Sequence, residues 1–189
     1  MTSILPFDEL NAFKAEIERR FPDKQLQNQG KTASEEEDII DELLDLFLLA
    51  YARGNTVTNN NLSSNYTPSL DDVMRTVDAE VAGKTWKERA ADYFANGGNV
   101  DDIVRIAETE THRISNKAAL DTAKYAGATK KTWHCMMLPT SRDTHIYLDG
   151  VTAPIDGEFY SFKGGSTMYP GQWGIAEEDV NCLCWLSFS

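Results

Sequence analysis

The residues best equipped for chemistry in this chain are three cysteines and a histidine. Cys182 and Cys184 stand two apart, so on a strand their side chains would share a face with Leu186 and Phe188. Joined by Cys135 and His145, they would supply three thiolates and an imidazole, the donor set of a closed structural zinc site. The Cys-x-Cys spacing is tighter than that of a zinc knuckle, and free cysteine is among the most buried residue types. A pair of small apolar side chains facing a core is therefore the competing expectation, and spacing alone leaves metal binding open. Nucleophilic chemistry has less support, because Cys135 directly follows His134 and strand neighbours point to opposite faces. The chain also lacks a P-loop, Gly-x-Gly-x-x-Gly, His-Glu-x-x-His and Gly-x-Ser-x-Gly. Arg142 and His145, three apart, would share one face of a helical turn, where they could hold an anion or order the Asp149-Gly150 turn. The plainer expectation is that His145 hydrogen-bonds a backbone carbonyl and Arg142 pairs with Glu177 or Glu178.

Charge narrows the function classes. The 189 residues hold 18 Lys+Arg and 30 Asp+Glu, a net charge of −12, which is the wrong sign for a dedicated DNA reader. The charge is unevenly spread. Between Arg105 and Arg142 seven bases face three acids, and Arg105, Arg113, Lys117 and Lys124 cluster loosely on one side of a helix. A solvated helix face is the first expectation there, and nonspecific contact with DNA phosphates is the sharper one. An uninterrupted acidic run from Glu35 to Asp45 is either another solvated face or a surface that meets a basic protein partner. The odd number of cysteines argues against a secreted disulfide framework, Met1 to Phe21 lacks the pattern of a signal peptide, and no apolar run is long enough to span a membrane.

These residues need a scaffold, and the apolar periodicity predicts one of class α+β. Leu10, Phe13, Ile17 and Phe21 outline a first helix stopped by Pro22. Ser34 with Glu37 has capping-box form and opens a second, which Gly54 is expected to end. Residues 55–68, rich in Asn, Ser and Thr, read as a linker within a helical region spanning 1–98. Ser69 opens a third helix carrying Val73, Val77 and Val81, with a break at Gly83. Thr85 with Glu88 and Asn99 with Asp102 open two more, the last carrying one stripe through Ile103, Ala107, Ile114 and Ala118. Residues 99–189 then form a small domain of that long helix and a short, mainly antiparallel sheet, with strands expected at Lys131–Leu138, Glu158–Phe162 and Cys182–Phe188.

The C-terminal half holds an ordered series of local patterns: Glu108-Thr109-Glu110 and Asn116, Lys131-x-Trp133, Arg142-Asp143-Thr144-His145, Asp149-Gly150, Pro154, Phe159, Tyr169-Pro170-Gly171, and Asn181-Cys182-Leu183-Cys184. This series resembles the phage Mu F-like head morphogenesis family, over roughly Arg105 to Trp185. Leu183 departs from it, standing where the family usually has arginine. The resemblance implies a non-enzymatic minor head protein acting in head assembly or in DNA packaging or delivery near the portal. Its partners would be portal or capsid proteins, and its location the virion head, or the host cytoplasm during assembly. A second resemblance sets an alternative beside it, an ADP-ribosyltransferase-like or toxin-associated domain sharing the C-terminal module. Arg142, Ser166-Thr167 and Glu177-Glu178 follow the arginine, serine-threonine and glutamate order of ADP-ribosyltransferases, although the intervals are short for that fold.

Overall fold

The computed structural model describes residues 7–21 and 33–189, and their architecture is α+β. Five helices come first: α1 (Phe7–Arg20), α2 (Ala33–Leu62), α3 (Leu70–Val77), α4 (Trp86–Asn96) and α5 (Val100–Tyr125). They are followed by β1 (Lys130–His134), α6 (Asp143–Leu148), β2 (Thr152–Pro154), β3 (Phe159–Tyr160), β4 (Ser166–Thr167), α7 (Ala176–Asp179) and β5 (Trp185–Phe188). No helix among the described residues is long and apolar enough to cross a membrane.

Local caps set the starts of α3, α4 and α5. The Ser69 side chain accepts from the Asp72 backbone N–H, and Thr85–Glu88 and Asn99–Asp102 form reciprocal capping boxes. The Gly97 cap of α4 takes the left-handed conformation, φ +77°. The serine side chain of the box expected at Ser34 and Glu37 lies outside the described residues.

The third helix ends earlier than its valine spacing suggested, at Val77 with Asp78 as its C-cap. Val81 instead pairs with Lys84 across a tight turn.

A larger correction concerns α2. It does not stop at Gly54 but continues to Leu62, so residues 55–62 of the expected linker are helical. Gly54 is placed by packing: a Cβ there would sit 2.3 Å from the backbone oxygen of Ser115 on α5, so the two helices approach backbone to backbone. Beyond the crossing, Asn55 Nδ2 donates to Thr122 Oγ1 at 2.8 Å. Asn59 Nδ2 donates to the Tyr66 carbonyl and Asn59 Oδ1 accepts from the Tyr66 N–H, fastening the segment after the helix. The asparagines that read as linker composition are tertiary fasteners.

Helix α5 is the axis of the molecule. Its expected apolar stripe is buried, but so is every residue from Thr109 to Asn116, polar ones included. One side packs in a core with Phe13, Ile17, Leu43, Phe47 and Trp86 from the first four helices. The other meets a second core built on Trp133, Phe159, Tyr169, Cys182, Cys184 and Leu186. That second core rests on a three-stranded antiparallel sheet with β1 at its centre, in the order β2-β1-β5, beside the β3-β4 hairpin. The strands are shorter than expected, because the chain turns away for α6 after His134, returns to the sheet briefly as β2, and joins it again only at Trp185. Cys182 and Cys184 therefore lie in the turn before β5 and not on the strand.

Candidate functional site

The motif residues of the C-terminal half converge on the second core. His145, on α6, is 2% exposed, and its Nδ1 stands 3.5 Å from Cys182 Sγ and 3.5 Å from Cys184 Sγ. Its other ring nitrogen, Nε2, is 3.1 Å from Glu178 Oε2, off the axis of a linear hydrogen bond, and Glu178 Oε2 also accepts from Thr144 Oγ1 at 2.8 Å. Trp133 meets the imidazole edge to face at 5.6 Å, and Trp173 stacks on it at 6.1 Å. His145, Cys182 and Cys184 form the one group of three His, Cys or acidic side chains among the described residues whose donor atoms all lie within 4.8 Å of one another. Cys135 is outside that trio but lines the same small recess, together with Arg142, Asn181 and Leu183. His134 faces the other way, stacked on Trp185 and hydrogen-bonded to Ser187 Oγ at 2.7 Å, as strand alternation requires.

Two features of the motif bring the cysteines to the histidine. Asn181 takes a left-handed backbone, φ +57°, which turns the chain inward, and asparagine tolerates that conformation better than most residues. Asn116 Nδ2, from α5, donates to the Cys184 carbonyl at 3.0 Å. Asn181→Val is expected to destabilise the fold by about 1–2 kcal/mol while Asn181→Gly stays near neutral. Paired thermal melts check this ordering, and equal losses would contradict it. The Cys184 thiol, then His145, hold Cys182 well below the ordinary thiol range against the effect of burial, while Cys184 is correspondingly raised.

The arginine and histidine exchange the partners expected of them. Arg142 does not pair with a carboxylate: its guanidinium donates to the carbonyls of Glu177 and Val180, anchoring α7. His145, and not Arg142, meets Glu178. The Asp149-Gly150 turn is stapled to β1, with Asp149 Oδ1 accepting from the Cys135 N–H at 2.8 Å and the Gly150 N–H donating to the Trp133 carbonyl at 2.9 Å. Asp179 and Trp173 were not singled out in the sequence. Asp179 accepts from the Trp173 and Gly174 N–H groups at 2.7 Å each, yet burial pushes its pKa up to about 6. No local pattern marks either residue.

A second constellation surrounds Glu110, which is fully buried. It pairs with Arg113, Nε to Oε2 at 2.6 Å, and with Arg89 from α4. Arg113 Nη2 also donates to the carbonyls of Thr76 and Val77, and the Tyr169-Pro170-Gly171 loop closes over it. Gly171 is needed there: its φ is +87°, and a Cβ would come within 3.0 Å of the Arg113 Cβ. Burial pushes the Tyr169 phenol up to about 12. Arg113 is thus no surface contact for an anion, contrary to the expectation from its spacing. Arg105, Lys117 and Lys124 do lie nearer the surface, paired with Asp102, Asp121 and Asp156.

Lys131 is a further buried charge. It has no exposed surface, its Nζ donates to the Met168 carbonyl at 2.8 Å, and it sits 5.5 Å from the Phe159 ring centre. Burial pushes its pKa down to about 8, Lys124 adds to this, and Asp156 and Glu158 oppose it. Between that value and the unfolded lysine value, the unfolded chain binds the proton more tightly, so stability rises with pH. The stability of the wild-type protein should therefore rise relative to that of Lys131→Met from about pH 8 to about pH 10. Urea unfolding of both proteins across that range checks it; parallel curves would refute it.

The serine-threonine and glutamate elements of the transferase alternative have structural partners. Ser166 Oγ donates to Glu158 Oε2 at 2.9 Å, buried Thr167 donates to the Tyr169 carbonyl at 2.8 Å, and Glu178 faces His145.

Comparison with known proteins places this geometry in context. The family model described as Phage Mu protein F like protein matches residues 70–187. The NAD(+)--arginine ADP-ribosyltransferase EFV of Enterococcus faecalis (strain ATCC 700802 / V583) is 34% identical over 110 residues, covering 56% of this chain and 21% of that protein. Minor head protein GP7 of Bacillus phage SPP1 is 32% identical over 85 residues, covering 43% of this chain and 28% of that protein. The chain thus spans less than a third of the length of either relative. No solved structure matches it significantly.

Proposed function

Because the chain belongs to the phage Mu protein F-like family, we propose that it is a non-enzymatic minor head protein, acting in head assembly or DNA packaging near the portal. Similarity to a protein named as a minor head protein supports the reading. The structural observation that carries it is how the motif residues are used. Glu110, Lys131, Trp133, Tyr169 and Cys184 are buried and bonded to other parts of the chain, which is the work of a scaffold.

The surface offers material for protein contacts instead. Tyr147 and Phe162, each more than half exposed, meet edge to face at 5.6 Å, and Ile146 is exposed beside them on α6. On α2, Glu37, Asp38, Asp41 and Asp45 present an acidic face suited to a basic surface of a portal or capsid subunit. Three partly exposed bases on α5 could still exchange their carboxylate partners for phosphates, since surface ion pairs are weak.

The transferase-named relative supplies the alternative, and it shares only about a fifth of its length with this chain. Deleting the gene in the phage or prophage that carries it separates the two. Loss of infectious particles, restored by the wild-type chain and by a Glu177→Gln/Glu178→Gln double variant that still folds, is the expected result. Normal particle yield without the protein, or a failure of the folded double variant to complement accompanied by loss of an NAD-dependent modification, would overturn the reading.

A further inference from the structure

The geometry points to a zinc site formed by His145 Nδ1, Cys182 Sγ and Cys184 Sγ, with Cys135 as the fourth donor. Both sulfurs stand 3.5 Å from the same ring nitrogen. An imidazole nitrogen has either one in-plane lone pair or one proton, so it can satisfy one thiol and not two. A tetrahedral zinc resolves this. With zinc–sulfur bonds near 2.3 Å and zinc–nitrogen bonds near 2.0–2.1 Å, nitrogen and sulfur ligands of one ion lie about 3.6 Å apart. The observed separations match that edge.

The surroundings are those of a metal-binding histidine. Nδ1 faces the sulfurs, so Nε2 carries the proton, and the Glu178 carboxylate, itself held by the Thr144 hydroxyl, stands 3.1 Å from it, off the axis of a linear hydrogen bond but within ion-pair range. A carboxylate behind a ligating imidazole fixes its tautomer and strengthens it as a donor. All three ligands are at most 3% exposed, and Asn116 fixes the Cys184 backbone. Cys135 lines the recess onto which the trio opens and is the remaining thiol there, and a thiolate is the zinc donor that the neighbouring Met136 thioether is not. Thiolate and imidazole together favour zinc over magnesium or calcium. Leu183, half-buried between the two cysteines, adds an apolar wall to the same recess.

The test is metal analysis of the full-length protein, made in zinc-supplemented medium, purified without chelator and dialysed against metal-free buffer. The expected result is close to one equivalent of zinc per chain, with a lower melting temperature after chelator treatment that added zinc reverses. Cobalt(II) replacing zinc should give the intense thiolate-to-metal absorption of a cysteine-rich tetrahedral site. Glu178→Gln should weaken zinc binding by roughly 10–100-fold, and Cys135→Ser by at least as much. Wild-type protein that folds, carries only traces of metal and takes up neither zinc nor cobalt would overturn the site. That outcome needs no ligand variant to fold and is independent of the head-protein reading. Unchanged zinc affinity in Cys135→Ser would overturn the assignment of the fourth ligand.

Discussion

Replacing Glu110 with alanine is expected to lower folding stability by about 3–5 kcal/mol, the cost of leaving a buried charge without its partner. The residue is fully buried and serves two guanidiniums, those of Arg113 and Arg89, and Arg113 is itself only 1% exposed. Against a total stability of about 5–15 kcal/mol for a protein domain, that loss is a large share. Removing the buried Glu110–Arg113 pair does not simply repair it, and Arg89 then loses its carboxylate as well. Arg113 also supplies the donors for the Thr76 and Val77 carbonyls, so a Glu110→Leu/Arg113→Met double variant leaves those oxygens unsatisfied. The double variant should therefore recover only part of the loss. Urea unfolding of the two variants checks both statements; a loss under about 1 kcal/mol for Glu110→Ala would show that the cluster contributes little.

The second large effect is expected at Gly54. In an open helix interior, Gly→Ala would stabilise by up to about 1 kcal/mol through propensity alone. Here the added methyl would meet the Ser115 backbone oxygen at 2.3 Å, and neither helix has a flexible side chain at that point to move aside. The steric term wins, and Gly54→Ala should destabilise by about 1–3 kcal/mol, with Gly54→Val worse still. The same contact involves the Ser115 hydroxyl, which donates to the Ala50 carbonyl at 3.1 Å, so spreading the helices would loosen that bond too. Thermal melts give the sign directly. A stabilised Gly54→Ala variant would mean that α2 and α5 do not cross this closely.

These two residues also mark what could be read in the sequence. The helix starts at Ser69, Thr85 and Asn99 were legible because a cap is decided within four residues. So were the α+β order and the burial of Ile103, Ala107, Ile114 and Ala118, which follow from periodicity. Gly54 and the asparagines after it read in sequence as a stop and a linker because their reasons lie on another helix: Gly54 admits a carbonyl from α5, and Asn55 bonds Thr122. Arg113 reads by spacing as part of a solvated face for a similar reason. Its neighbour Glu110 was visible, but Arg89 and the carbonyls of α3 come from 24 to 37 residues away. In the site, the convergence of His145 with Cys182 and Cys184 was legible as a donor set, whereas the strand argument for it was not, since the cysteines sit in a turn. The exchange of partners between Arg142 and His145 depends on how α7 docks, and spacing carries no information about that.

The claim that this chain is a minor head protein is tested most directly by its distribution among phage particles. Density-gradient fractions of DNA-free heads and mature virions, from an induced lysate of the strain that carries it, would be analysed by quantitative mass spectrometry. The expected result is that the chain co-sediments with heads, at few copies relative to the major capsid protein, and stays with them when tails are absent. Finding the chain only in the soluble fraction, while heads of normal composition assemble, would contradict the account.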